Sequence, residues 1–497
     1  MEYDCDFQGE IRVASRIIDY LSSGLYQSPA ACLKELINNA YDADATEVQV
    51  WVKSDGDSII IEDNGCGLNR QDFERHFMMI SESFKREETS TSPQGRPLIG
   101  KIGIGFIAAN EICNEMQVIS TQAGSTDLLD VTISFDLMRA DPSARRRGET
   151  SFAKAVYCGK TGSAEPASHF TRVFLRMIRG AAKDILAGAG VSLYSSGEYS
   201  LYGLSERSVQ QVLMDGNLQS WSIFDAYSKN RLEVALNVPI RYHKQWLPRH
   251  FLPQVTEIEK AVDKLNFRVF FDGSELRKPV VFNPAGEALI SPFTYQGMQV
   301  SASGYFYAQR GAIHPQELQG LLVRIRHAAI GGYDPNFLEF SAQRGGQFKK
   351  WISGEILVDD RLEDALNIDR KTLRNTHPAY VELQLAVHAH VDRLIAQVRS
   401  DIFSAGAQER KRQRAAKSEQ KIHAVTAGSL DKLALETAHE LSSAWQSFLE
   451  KEGSEKQLLR KYSIDQIYKL VIEAAGDSLS PEDMQVLLKG LTGRLQA

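Results

Sequence analysis

Residues 28–45, SPAACLKELINNAYDADA, constrain the fold more than any other stretch of the chain. Ser28 before Pro29 reads as a helix start: a capping hydroxyl precedes a proline whose missing N–H costs nothing in the first turn. At about 100° per residue, Glu35, Asn39 and Asp42 share a narrow arc, with Leu33, Leu36, Ile37 and Ala40 on the other side. One face is core, and the other aims a carboxylate, an amide and a carboxylate together. Such a face suits a metal–phosphate site, because Asn can offer a neutral oxygen to magnesium while Glu35 orients and deprotonates a water. A solvated polar stripe, the norm on surface helices, is the alternative these residues leave open.

Two further stretches follow within the first 110 residues. Val48, Val50 and Val52 alternate with polar or aromatic residues, a turn lies at Ser54-Asp55-Gly56-Asp57, and Ser58 to Glu62 forms a second strand, so a hairpin is predicted. It ends in Asp63-Asn64-Gly65-Cys66-Gly67. An Asp at a strand end can accept the exocyclic amine of a purine, and two glycines let backbone approach a flat ligand. A plain Asp-Asn-Gly turn is the competing reading. Gly100-Lys101-Ile102-Gly103-Ile104-Gly105-Phe106 then runs into an apolar segment, and glycines before a helix expose N–H groups to phosphate. This is not the lysine-terminated phosphate loop, nor does it follow a strand as a dinucleotide fingerprint does.

In this order, ELINNAYDA, DNGCGL and GKIGIGF resemble the three boxes of the GHKL ATPase superfamily, which groups gyrase, the ninety-kilodalton heat-shock chaperone, sensor histidine kinases and mismatch-repair clamps. The resemblance implies an α+β protein. Its N-terminal GHKL (Bergerat) α/β sandwich has a mixed sheet, and an α/β middle (transducer) domain and a helical C-terminal module follow. It implies ATP and magnesium as cofactors, Glu35 as the general base, Asn39 as the magnesium ligand and Asp42 as an accessory acid. Asp63 would read adenine, Gly65 and Gly67 would shape the purine pocket, and Gly100, Gly103 and Gly105 would form a phosphate-facing hinge. The polar segment 81–97 fits a lid spanning about 81–105, from which Lys85 and Lys101 could reach phosphate; ordinary exposed lysines are equally consistent. A family Gly-Thr before a strand has a partial match at Phe170-Thr171, which makes Thr171 a further nucleotide-binding candidate.

The first histidine is His76, which disfavours the sensor-kinase branch, whose phosphoacceptor histidine sits on a helix preceding the ATP domain, and no Glu-Gly-Asp-Ser-Ala stretch marks a topoisomerase. The heat-shock chaperone-like and Microrchidia-like branches remain. The ATP-binding domain is expected over 1–245, with Leu232 to Ile240 as a closing strand. A middle domain is expected over 255–400, opening with the strand at Phe267 to Phe271. Within it, the acidic segment 354–360 and Leu366-Asn367-Ile368-Asp369-Arg370 resemble the chaperone family's middle-domain stretch. That implies Arg370 as the sensor of the terminal phosphate. An Asp–Arg surface pair is the plainer reading of Arg370, and Arg344, in a glycine-containing loop, is the other sensor candidate.

Residues 401–428 are expected to form a basic helical linker in which 409–417 carry five basic residues against one acid, either a solvated helix or a contact for nucleic acid or an acidic partner, and 429–497 read as amphipathic helices, expected to be a dimerisation module, with a small intramolecular bundle as the alternative. The whole chain balances 57 Lys and Arg against 63 Asp and Glu, so no general affinity for nucleic acid follows. Five cysteines, odd in number and never paired as CxxC, argue against a disulfide framework or zinc site. An acidic start and the lack of an apolar run of about eighteen residues point to a cytoplasmic protein without a membrane span. The expected function is an ATP-hydrolysing, ATP-gated dimeric clamp of heat-shock chaperone-like type. The alternatives are a non-hydrolysing nucleotide sensor or scaffold in a bacterial defence or DNA-processing complex, and a Microrchidia-like DNA clamp. Whether the client is protein or DNA stays open.

Overall fold

Period-two alternation of aliphatic residues builds one large sheet with a single buried face. The computed structural model describes residues 5–14, 28–53, 56–78, 91–99, 105–135, 152–187, 199–247, 252–284, 287–341, 346–367 and 371–400, together with Gln485 and residues 487–489. Strand β1 (Phe7–Ala14) precedes helix α1 (Pro29–Asp42) and the antiparallel hairpin of β2 (Glu47–Val52) and β3 (Ser58–Asp63). Val48, Val50, Val52, Ile59, Ile61 and Asp63 point inward, as the alternation requires. Helices α2 (Arg70–Met78) and α3 (Gly105–Ile112) follow, then β4 (Cys113–Thr121), β5 (Asp127–Ser134), β6 (Phe152–Ser163) and β7 (Phe170–Ile178). Next come α4 (Gly180–Leu186), α5 (Glu206–Leu213), α6 (Ala226–Asn237) and α7 (Leu252–Asp263), and then β8 (Arg268–Phe271) and β9 (Ser274–Glu275).

The strand order is β1-β6-β5-β4-β7-β3-β2-β8-β9, and every pairing is antiparallel except β2 with β8, so the sheet is mixed. Inward side chains of β2, β3 and β4 share one core with Leu33, Ile37 and Tyr41 of α1, Ala108 and Ala109 of α3 and Val234 of α6. This is an α/β sandwich. The strand expected to open a second domain, β8, instead completes this first sheet. Its Val269 and Phe271 are fully buried and continue the inward row of β2.

Three local expectations change for physical reasons. Helix α1 is buried on nearly every side, with Asn39 its one exposed residue, because α3 and α6 flank it and the small residues Ala30, Ala31, Cys32 and Ala40 admit close helix approach. Ser28 has extended backbone geometry but does not cap with its side chain; its hydroxyl donates to Glu233 Oε1 at 3.1 Å. Leu232 to Asn237 is helical, capped by Asp225, which accepts the Ser228 N–H at 2.7 Å. A short apolar run does not by itself distinguish a strand from a buried helix.

A second sheet has the order β10 (Ala288–Gln296), β11 (Ser301–Gln309), β14 (Ile352–Val358), β12 (Gly320–Ile325) and β13 (Ala328–Ala329), with β12 and β14 parallel. Its buried side chains Tyr305, Tyr307 and Leu322 share a core with Leu201, Phe224, Trp246 and Leu247, so residues on both sides of position 250 pack together. Glu355 of β14 is buried against Arg324 of β12 at 2.6 Å and accepts hydroxyls from Tyr242, Tyr305 and Tyr333. A 3-10 turn (Asp360–Ala365) and helix α8 (378–400) complete the described chain of this part. Residues Met1–Val398 form one compact unit and Arg399–Ala497 a second. The expected basic linker at 401–428, and nearly all of the expected helical module at 429–497, lie outside the described residues.

Candidate functional site

Asp63 terminates β3 and stands on the helix-covered face at 8% exposure. Its Oδ1 accepts the Gly65 N–H at 2.8 Å, and among the described residues nothing donates to the other oxygen. Burial pushes its carboxyl up, to about 7; the Gly65 N–H lowers it, nearby Glu62 adds to the rise and His169 offsets part of it. A buried carboxylate without a Lys or Arg partner is costly, so this one is free to serve a ligand. Thr171 lies directly opposite Asp63 in the β3–β7 register, which puts both side chains on the same face. The Thr171 hydroxyl is 3.0 Å from that of Ser120, which accepts the Leu68 N–H at 2.8 Å.

The two glycines have packing reasons that hold without any ligand. Gly67 has φ +74°, and a Cβ there would lie 2.0 Å from the Thr121 carbonyl oxygen. A Cβ on Gly65 would lie 2.7 Å from the Ala43 carbonyl oxygen. Only glycine lets the turn close this tightly over β4 and the end of α1.

Glu35 is 9% exposed and lines an open cavity of about 570 Å³ bordered by α1, α6, Trp221, Ser222, Glu317 and the Gly331–Gly332 loop. Lys34, Lys229 and Lys371 line the same space, as does Glu233. Lys34 Nζ is 3.5 Å from the Ala329 carbonyl oxygen. Asp63 lines a different cavity, of about 430 Å³, at the strand ends beside Asn64 and His169. The described residues therefore bring Asp63, Gly65, Gly67 and Thr171 together, and place Glu35 with Lys371 in a second group.

Asn39 presents its amide to solvent on α1, one turn from Glu35. No cluster of three His, Cys, Asp or Glu side chains with metal-binding geometry occurs among the described residues. A neutral amide oxygen with no carboxylate cage fits magnesium that arrives with phosphates and keeps several waters. Asp42 is committed to the protein: its Oδ1 accepts the Ile99 N–H at 2.7 Å. Gly105 is the first residue of α3. Lys85, Gly100, Lys101, Gly103, Arg344 and Arg370 lie outside the described residues.

Within the expected lid, residues 91–99 are anchored to the end of α1. Asp44 accepts the Ser92 hydroxyl and, at 3.0 Å, the Gln94 N–H. Arg96 donates to the Ala45 carbonyl and lies over the Tyr41 ring. No sequence pattern singled out Asp44, Arg96, Ser120, His169 or Lys34, and Lys371 stood out only as a departure from the chaperone family's stretch. Asp44, two residues past Asp42, has φ 60°, a conformation Asp tolerates better than most residues. Ser120 and His169 carry no local pattern and are assembled by strand register.

Residues 26–144 match the family of histidine kinase-, DNA gyrase B- and HSP90-like ATPases. The chain is 36% identical over 115 residues to a putative type II restriction enzyme, HgiDII, of Herpetosiphon aurantiacus, covering 23% of this chain and 18% of that protein. It is 28% identical over 142 residues to the chaperone protein HtpG of Natranaerobius thermophilus, covering 24% and 22%. For HtpG of Borrelia garinii the identity is 32% over 123 residues, covering 21% and 20%. The chain thus spans about a fifth of the length of these relatives. No described helix is long and apolar enough to cross a membrane. The three boxes lie within the matched residues 26–144, and the family match and the α/β sandwich both support a resemblance of this part of the chain to the GHKL ATPase superfamily.

Proposed function

We propose that the protein is a magnesium-dependent ATPase working as an ATP-gated dimeric clamp. The observation that carries the reading is Asp63: a buried carboxylate, opposed by Thr171, with one oxygen left unserved by the described protein. A purine amine would donate to that oxygen and the Thr171 hydroxyl would bond the ring edge. Asn39 would offer its side-chain oxygen to magnesium held on the phosphates, and that ion would supply neutralisation of phosphate charge.

Glu35 would take a proton from a water whose oxygen attacks the terminal phosphorus, as the bond to the bridging oxygen breaks and ADP leaves with the electron pair. Lys371 shares the cavity with Glu35 and immediately follows Arg370, which supports delivery of a phosphate-sensing cation by this loop. The remaining parts of the proposal are a lid over 81–105 and dimerisation through 429–497. The lid comes from the resemblance, and dimerisation from the amphipathic helical spacing of the tail.

The similarity to HtpG supports a chaperone-like clamp. The similarity to a protein named as a putative type II restriction enzyme supports, as a second reading, a clamp or scaffold in a DNA-processing complex. Phosphate release by the purified protein, lost in Glu35→Ala with ADP binding retained, is the expected result. Turnover by Glu35→Ala equal to the wild type would remove Glu35 from the mechanism. Salt-dependent DNA binding that disappears when 409–417 is neutralised would favour the second reading.

A further inference from the structure

Arg326 sits in the tight turn between β12 and β13 with φ 49°, and its side chain is only 4% exposed. Its guanidinium reaches in two directions. Nη1 donates to the carbonyl of Leu98, in the 91–99 segment held at the end of α1. Nη2 pairs with Glu363 at 2.9 Å and Asp360 at 2.8 Å, both in the 3-10 turn Asp360–Ala365. Burial alone would lower its pKa, but those two carboxylates more than offset that and keep it protonated.

Both neighbours of Arg326 lead directly to the proposed site. Ile99, next to Leu98, donates to Asp42 at the last turn of the helix that carries Glu35 and Asn39. Past the 3-10 turn, residues 365–367 pair with 372–374: Leu366 bridges Leu373, Asn367 N–H donates to Thr372 O at 3.0 Å, and Arg374 N–H donates to Ala365 O at 2.7 Å. Lys371, next to this pairing, lines the Glu35 cavity. A single planar group with forked donors therefore joins the 91–99 segment to the base of the Lys371 loop. A lysine has one nitrogen and cannot span the same three acceptors.

We propose that Arg326 is a positioning residue that couples the Leu98–Ile99 end of the 91–99 segment to the Asp360–Ala365 turn and so sets the Lys371 loop against Glu35. Its effect on turnover rests on the ATPase reading; the coupling itself does not. Hydrogen exchange separates the two. The protected amides of Ser92, Gln94, Gly95 and Ile99 are hydrogen-bonded within unit 1 and do not touch Asp360 or Glu363.

In the full-length protein, Asp360→Asn/Glu363→Gln should speed exchange at those four amides by about tenfold or more, the size expected when linked contacts open together. Arg326→Lys, which keeps the charge, should do the same, and combining the changes should add little, because both break one linkage. If only amides of 360–366 respond, or if the effects add fully, the proposal is overturned. With ATP, the same variants should lower kcat by roughly tenfold while ADP affinity stays within about twofold, since an interaction confined to the reacting end is lost. Equal losses in kcat and ADP affinity would overturn the positioning role. Coupled exchange in a protein whose wild type releases no phosphate would leave the coupling standing and sink the ATPase reading instead.

Discussion

Replacing Asp63 by Asn should stabilise the nucleotide-free protein while destroying its nucleotide site. The carboxyl is buried and its pKa is raised from 3.8 to about 7. Between those values the native state holds a proton that the unfolded chain has released, so the stabilising contribution is complete below about pH 4 and is lost as pH rises through 7. At about 1.4 kcal/mol per unit, the charge costs about 2 kcal/mol at pH 5 and about 4 kcal/mol at pH 8. An amide is neutral throughout, and its oxygen can still accept the Gly65 N–H. Urea denaturation of both proteins from pH 5 to pH 8 should show Asp63→Asn as the more stable, by a margin that widens with pH. Calorimetry should show wild-type ADP affinity falling about tenfold per pH unit below 7, as the acceptor protonates, and no binding by the variant. A stability gap that does not grow with pH, or ADP binding by Asp63→Asn at wild-type strength, would refute the assignment of a costly, ligand-serving carboxylate.

Two other outcomes test the framework around the site. Gly67→Ala must place a methyl 2.0 Å from a carbonyl oxygen at φ +74°, whereas Gly124→Ala, at φ +84°, meets nothing within 4 Å. The first should cost several kcal/mol in thermal unfolding and the second about 1 kcal/mol, the backbone share alone; equal losses would contradict the packing account of the motif glycine. Glu355→Gln should cost about 3–5 kcal/mol in denaturant unfolding, because it strands the buried Arg324 charge. Glu74→Gln, which breaks the exposed Arg70–Glu74 pair, should cost less than about 1 kcal/mol.

The site was legible to the extent that its chemistry was local. The β2–β3 hairpin, the helix start at Pro29 and the grouping of Asp63 with its glycines follow from spacing within a dozen residues. Thr171 was found through a family pattern even though Phe170 stands where that pattern has glycine, and strand register brings it opposite Asp63. What was not legible depends on separation in sequence. Arg326 meets Leu98 across 228 positions, and no periodicity around either residue announces that contact. The β8 strand looked like the start of a new domain because only its parallel pairing with β2, some 220 residues earlier, reveals its place. The burial of α1 on its polar side was hidden for the same reason: α6 covers it from nearly 200 residues away. The aliphatic run at 232–236 read as a strand because four buried apolar residues in five mask the helical period.

The central question is whether Glu35 performs chemistry on a nucleotide held by Asp63. Release of inorganic phosphate from ATP, measured side by side for the wild type, Glu35→Ala and Asp63→Asn with magnesium present, addresses this. Phosphate release by the wild type alone, with ADP still bound by Glu35→Ala and not by Asp63→Asn, is the predicted result. Phosphate release by Glu35→Ala at the wild-type rate, or ADP binding that survives Asp63→Asn, would contradict it.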